Sequence, residues 1–467
     1  MTLARRLGRG GLWVASSAVG ARLLQAAAYS LLARFLAPAD FGAFAIAAVA
    51  VNALALFPGL GLGTALMARP GDPRPHARTA ITVAWLGGGA LALIALLVGH
   101  FIARRDGAAV GHLVMLLGVA LLFQGPGTVA GALLDRELRF RARAVADLAG
   151  GVAFCGTAVA AALLGAGALA LGFGLVASAA VQAFVATKAA RLAPTRSPEL
   201  KRLRGTFRVG GLVLATTLLQ WLFTSSDIAC IAHRFGRDAV GTYTTALQLA
   251  MVPASVLGLF SARLALPALM RARAGSGTLD VATTRGFLAA IRVAALLGAA
   301  ATALFVAFSG PLVELLYGSR FAASAPLVPL LALHAFGRVL GGLAGPALLA
   351  SGRARVAFGF VLAQNVVALP LALVVPAEFG AAGIALVYSL AALVAGVVAL
   401  LVGTRAIAVP TAPTLRAALL PLLTLTPLLI LGSPRRLGAP GGFALALVSL
   451  VPFALLAWRR LRTGATP

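Results

Sequence analysis

Long apolar runs, broken by short basic or Gly/Pro-rich stretches, make up nearly the whole chain. Cutting at those breaks predicts about fourteen helical spans, near 12–35, 41–67, 80–103, 108–133, 144–164, 168–190, 208–232, 239–269, 287–308, 324–350, 356–376, 380–404, 417–432 and 441–458. At about 1.5 Å per residue, a run of about 20 residues crosses a hydrocarbon core of about 30 Å. The thirteenth span is short and carries Pro421 and Pro427. Polar residues inside the spans fall at helical spacing. In the first, Arg22, Gln25 and Tyr29 stand at i, i+3 and i+7 and give one polar face to a helix otherwise suited to lipid. An arginine near the bilayer centre costs about 2.5–3.5 kcal/mol on insertion scales, so that face is expected to meet other helices or a wet cavity. The seventh span repeats the device with Thr217, Gln220, Thr224 and Asp227 at i, i+3, i+7 and i+10.

The pattern reads as an all-α polytopic membrane protein of about 14 transmembrane helices. Composition agrees: 61% of the 467 residues are hydrophobic and 11% are charged, with a mean hydropathy of +0.99. Soluble domains carry nearer 25% charged residues. The net charge of +27 changes the picture only until the basic residues are placed. Loops on alternate sides of the spans hold 27 and 8 of the 39 Lys and Arg, and the other four, Arg22, Arg263, Arg292 and Arg338, lie inside spans. That bias puts both termini in the cytoplasm of a bacterial-type inner membrane, and accounts for the charge without a nucleic acid partner. The basic start MTLARRLGRGG is then a cytoplasmic flank and not a signal peptide, since the apolar run after it is too long for one and is interrupted by Arg22. Cys155 and Cys230 both fall within spans and offer neither a disulfide framework nor metal-ligand spacing. No loop has room for a soluble catalytic domain, and no G-x-x-x-x-G-K-[ST] phosphate loop occurs. The chain is therefore expected to be no enzyme and to need no cofactor beyond a coupling H+ or Na+.

An internal repeat organises the spans. Leu23-Leu24-Gln25 recurs as Leu218-Leu219-Gln220, and Ala33-Arg34-Phe35 with Gly42-Ala43-Phe44 is echoed by His233-Arg234-Phe235 with Gly241-Thr242-Tyr243. A weaker echo links Ala132-Leu133-Leu134 with Ala347-Leu348-Leu349. Six spans separate the copies, an even number, so the repeats are parallel. The predicted organisation is a six-helix bundle over 1–190, a basic cytoplasmic linker at 191–207, a second six-helix bundle over 208–404, and two more helices in 405–467.

The stretches LLARFLAPADFGAFAIA, PGLGLGTALMAR and LLDRELRFRAR, with SSDIACIAHRFGRDAVGTYTTALQL, FSARLALPALMR and GPLVELLYGSRFAASAPLVPLLAL in the second half, resemble the polysaccharide transport family. These are the Wzx-type flippases of lipid-linked oligosaccharides, within the multidrug/oligosaccharidyl-lipid/polysaccharide exporter superfamily. The resemblance covers about 10–405 and lies in spacing and character. It implies two bundles that open a central cavity to each side of the membrane in turn, and a polyprenyl-diphosphate-linked glycan as substrate.

Such a substrate requires cationic and hydrogen-bonding groups at depth, because uncompensated charge in hydrocarbon is costly. The candidate cavity residues are Arg22, Gln25, Tyr29, Gln220, Arg263, Arg292 and Arg338, with Arg22 and Arg338 nearest mid-depth; snorkelling to headgroups is the plainer role for Arg263 and Arg292. Asp227 and His334 are the coupling candidates. Gly341, Gly342 and Gly345, on the face shared by His334 and Arg338, read as packing residues, and Gln364, Asn365 and Asn52 as interhelical hydrogen bonders. Gly125-Pro126-Gly127 and Pro253 are candidate bending points. A multidrug antiporter or a peptidoglycan lipid-precursor flippase of the same superfamily is the alternative. A membrane-embedded polysaccharide polymerase fits less well, since only Glu314 and Asp40 are candidate surface carboxylates. The expected partners are the lipid bilayer, the glycolipid and polysaccharide assembly proteins.

Overall fold

The computed structural model describes residue 20 and residues 24–56, 73–105, 107–195, 204–260, 281–350, 353–407 and 409–423. The regular structure of these residues is helical, with no strand among them. In chain order the α-helices are α1 (24–32), α2 (Pro38–Ala55), α3 (Arg74–Arg105), α4 (Ala108–Arg136), α5 (Phe140–Leu163), α6 (Leu169–Ala190), α7 (Arg204–Phe260), α8 (Val281–Tyr317), α9 (Leu327–Ala350), α10 (Ala354–Val374), α11 (Gly380–Ala406) and α12 (Thr411–Leu423). Nine helices among the described residues are long and apolar enough to span a membrane. The predicted seventh and eighth spans form one helical run, α7, broken into two arms where Gly236 takes φ 79 and ψ −175. Only a residue without a Cβ adopts that backbone readily.

The described residues group into two compact units, Met1–Thr244 and Thr245–Pro467. In the first, α3 and α4 run antiparallel over a ladder of small residues. Ala84 meets Gly125, Gly88 meets the Leu121 carbonyl, Ala95 meets Gly118, and Gly99 meets Gly111 and Met115. Lipid tails are as apolar as leucine, so helices in a bilayer gain from close van der Waals contact, and small residues allow it. The opposite flank of α3 carries the exposed Leu86, Leu93, Leu97 and Phe101 at helical spacing, as a lipid-facing surface requires. Gly174 of α6 fits against Phe154 and Ala158 of α5, and Gly127 of α4 against Ala183 of α6. Gly125-Pro126-Gly127 is thus a buried packing point inside α4.

The second unit repeats this logic on α9 and α11. Gly337 lies against Ala392 and Leu393, a Cβ on Gly396 would overlap the Gly337 carbonyl, and Gly403 lies against Ala344. Its core gathers Ile291, Ala295 and Ala299 of α8 with Phe336, Leu340 and Leu343 of α9 and Ala417 and Ala418 of α12. Two of its buried hydroxyls are satisfied within their own helices. Thr302 donates to the Gly298 carbonyl at 2.9 Å and Ser389 to the Ala385 carbonyl at 2.6 Å.

Candidate functional site

The polar groups predicted at depth divide between the units. Arg22 and Arg263 lie outside the described residues. In the first unit, α1 holds Gln25, half-buried, and Tyr29, which is buried with its ring 6.1 Å from that of Phe41 and 5.6 Å from that of Phe154. Gly20 lies beside Leu148 of α5, and Leu24 of α1 beside Gly151. Gln220 is half-buried on the first arm of α7, and its carbonyl accepts the Thr224 hydroxyl at 3.0 Å.

Asp227 is 2% exposed. One carboxylate oxygen accepts the Tyr243 hydroxyl at 2.6 Å and the other accepts the Ile228 backbone N–H at 2.7 Å. Tyr243 is itself fully buried on the second arm, so this bond crosses the Gly236 bend and ties the two arms together. A hydrogen bond to a charged acceptor is short and strong, and the low dielectric around it strengthens it further. Tyr243 carries no sequence signal beyond its place in the repeat, where it matches Phe44.

The second unit contains Arg292 on α8 and Arg338 on α9, both half-buried. His334 stands one turn before Arg338, is 4% exposed, and has Nδ1 3.3 Å from the Tyr388 carbonyl of α11. Gly341 is half-buried against Gly396, whereas Gly342 is exposed. Pro253 lines a shallow apolar recess with Leu257, Thr302, Phe305 and Phe336. Asn365 is buried, and its amide donates at 2.7 Å to the Val361 carbonyl one turn back in α10. Asn52 is exposed. Asp40 serves as a helix cap: its carboxylate accepts the Ala37 N–H at 2.9 Å at the start of α2.

A polar group that the span pattern passes over lies on α5 and α6. Arg143 falls in the predicted loop 134–143, but α5 begins at Phe140, four residues before the predicted span, and so takes Arg143 into the bundle. Its Nε–H donates to Asp147 at 3.3 Å, and Gln182 of α6 donates to the other oxygen of Asp147 at 2.8 Å. A carboxylate inside the predicted span 144–164, one turn after an arginine, was the available signal. Next to it, Glu137 accepts from Arg74 at 2.9 Å and lies 3.7 Å from Arg139.

The chain is 28% identical over 262 residues to the succinoglycan biosynthesis transport protein ExoT of Rhizobium meliloti (strain 1021), covering 55% of this chain and 51% of that protein. It is 26% identical over 160 residues to the teichuronic acid biosynthesis protein TuaB of Bacillus subtilis (strain 168), covering 34% of this chain and 32% of the relative. The matches thus span about half of one curated relative and a third of the other. Among solved structures, the lipid II flippase MurJ in an inward closed conformation superposes with a TM-score of 0.74 at 13% identity, over 96% of this chain and 99% of that one. An inward-facing MATE-family multidrug resistance transporter of the MOP superfamily gives 0.66 at 18% identity, over 83% and 94%. These structural likenesses show an all-helical, multi-span membrane fold. The model of the polysaccharide biosynthesis protein family matches residues 31–326, well over half of the chain, and this protein belongs to that family.

Proposed function

We propose that the protein is an alternating-access flippase that moves a polyprenyl-diphosphate-linked oligosaccharide from the cytoplasmic to the outer leaflet for cell-surface polysaccharide synthesis. The observation that carries this reading is the family match over residues 31–326, on a chain whose fold is shared with a lipid-precursor flippase. Both curated relatives are named for polysaccharide biosynthesis, and one is named a transport protein. In this reading the chain sits in the inner membrane with both termini cytoplasmic. It comprises two six-helix repeats, 1–190 and 208–404, with 191–207 as linker and 405–467 as two added helices. Arg22, Gln25, Arg338 and Gln220 would contact the diphosphate and first sugars, as guanidinium groups suit phosphate geometry. Asp227 and His334 are the groups through which an H+ or Na+ gradient would act.

The test is reconstitution into vesicles with a fluorescent polyprenyl-diphosphate oligosaccharide, reading transbilayer movement by quencher accessibility. Wild type should accelerate movement, and Arg22→Ala and Arg338→Ala should abolish the acceleration while leaving insertion intact. A wild-type rate equal to that of protein-free vesicles would exclude the reading. Export of a cationic dye instead would favour the multidrug antiporter.

A further inference from the structure

We infer that Arg143 is a preorganised oxyanion-binding fork for the diphosphate of a lipid-borne substrate, oriented by Asp147 and Gln182. The ligand class rests on the flippase reading; the anion site rests on geometry within the first unit. Arg143, Asp147, Gly150 and Phe154 share one face of α5 at helical spacing. Gly150 packs against Ser178 and Gln182 of α6 and Phe154 against Tyr29 of α1, so this face looks into the unit. Val145, Leu148 and Val152 form the other flank and are 52%, 37% and 61% exposed. Arg143 therefore sits beside the first apolar turn of the helix, where an anionic headgroup enters.

The local backbone makes this placement. After α4 the chain turns through Glu137, Leu138 and Arg139, with Leu138 left-handed at φ 57 and the Arg139 N–H donating to the Leu134 carbonyl at 2.8 Å. The tight turn folds the second turn of α5 back over α4, so that a guanidinium nitrogen of Arg143 occupies the space a side chain at Gly131 would take. Gly131 is thus the floor under the guanidinium.

The hydrogen bonding leaves the fork open. A guanidinium has five N–H donors. Arg143 engages Asp147 sideways through Nε alone, at 3.2 and 3.3 Å from the two oxygens. Among the described residues, neither terminal nitrogen of Arg143 has an acceptor, although the side chain is only 26% exposed. Asp147 is 16% exposed and is also held by Gln182 at 2.8 Å. The carboxylate thus fixes the plane of the guanidinium without occupying the two nitrogens that grip phosphate oxygens in a bidentate pair. A purely structural ion pair would bring the fork onto the carboxylate. Here the geometry makes Asp147 and Gln182 positioning residues and Arg143 the contact.

The experiment uses the full-length protein in nanodiscs of neutral lipid. Binding of inorganic pyrophosphate and of a polyprenyl diphosphate is measured by calorimetry for wild type, Arg143→Lys, Arg143→Gln and Asp147→Asn. Arg143→Lys keeps the charge and loses the fork, and should weaken both ligands about tenfold, as Arg143→Gln does. Asp147→Asn should weaken them a few-fold at unchanged stoichiometry. Equal affinity in wild type and Arg143→Lys would overturn the assignment. Where a variant fails to fold, phenylglyoxal labelling of wild type decides: pyrophosphate should protect Arg143 from modification, and labelling unaffected by pyrophosphate overturns the inference. Equal protection by phosphatidylglycerol alone would also overturn it, reducing Arg143 to an ordinary headgroup contact. Protection by pyrophosphate in a protein that moves no glycolipid would retain the anion site and remove the flippase reading.

Discussion

Gly42 and Gly241 occupy matching positions in the two repeats, and each closes against the backbone of the other's helix start. A Cβ on Gly42 would overlap the Arg237 carbonyl, and a Cβ on Gly241 would overlap the Pro38 carbonyl. In both cases the carbonyl belongs to the residue four positions before the partner glycine. The contact is thus reciprocal. It also explains why the first compact unit extends to Thr244, since the start of the second arm of α7 is docked on α2.

Reciprocity makes a quantitative prediction. Gly42→Ala or Gly241→Ala forces the two helix starts apart, and overpacking of this kind costs about 1–3 kcal/mol. Once one substitution has separated the backbones, the second meets less resistance. The double variant should therefore lose clearly less than the sum of the singles, a coupling expected of sites in contact. Unfolding free energies from detergent titration of the purified protein measure this. Strict additivity would show that the two contacts are independent.

The Tyr243–Asp227 bond gives a second prediction. Tyr243→Phe keeps the ring in its fully buried site and leaves one oxygen of a buried carboxylate without its 2.6 Å donor. Removing the donor to a buried polar oxygen costs about 1–3 kcal/mol. Asp227→Asn in the Tyr243→Phe background should recover part of the loss, because an amide tolerates the missing donor better than a carboxylate. The same Asp227→Asn single variant tests coupling: if Asp227 couples transport to an ion gradient, the variant should lose dependence on external pH or Na+ while retaining downhill movement. Transport that responds to the gradient as wild type does would remove Asp227 from that role.

In the second unit, Gly337 and Gly396 set the distance between α9 and α11. Either position changed to Val should separate the helices, disturb the His334–Tyr388 contact one turn away, and lower unfolding free energy by about 1–3 kcal/mol. Gly342→Val, on the exposed side of the same helix, should cost within about 0.5 kcal/mol. Equal losses at positions 337 and 342 would contradict the packing assignment.

These particulars show what a sequence carries and what it omits. The approximate positions of most helices among the described residues follow from apolar length, because a bilayer selects for runs of about 20 residues, whereas the predicted seventh and eighth spans prove to be one bent run. Short sequence triplets pair Gly42 with Gly241, and the two glycines touch each other's helix start. The Gly236 bend was legible only as a polar break, since HRFGRD reads equally well as a loop. Asp227 stood out as a carboxylate at depth, but its partner lies 16 residues on, past a bend whose angle no periodicity encodes. Arg143 was hidden for a different reason. Membrane helices continue past the apolar run into basic flanks, and a boundary drawn at the last charge assigns such a residue to the loop.

Arg292 and Arg338 present the sharpest division between a cavity residue and a snorkelling one. Each is half-buried in a long helix of the second unit. Arg338 lies eleven residues into Leu327–Ala350, in the middle third of a 24-residue helix. Arg292 also lies eleven residues into its helix, but Val281–Tyr317 is 37 residues long, well beyond the about 20 that cross a bilayer, and a long side chain in its first third extends to the headgroups. Lysine snorkels as well as arginine but lacks the planar fork. Arg292→Lys should therefore keep glycolipid movement within about twofold of wild type. Arg338→Lys should lose about tenfold or more, the loss of about 1.4 kcal/mol in transition-state stabilisation that one bidentate phosphate contact supplies. Vesicle flipping rates at matched protein density, with unfolding titrations on the same preparations, separate transport loss from misfolding. Arg338→Lys at the wild-type rate would place Arg338 outside the substrate path, and a tenfold loss at Arg292→Lys would bring that residue into it.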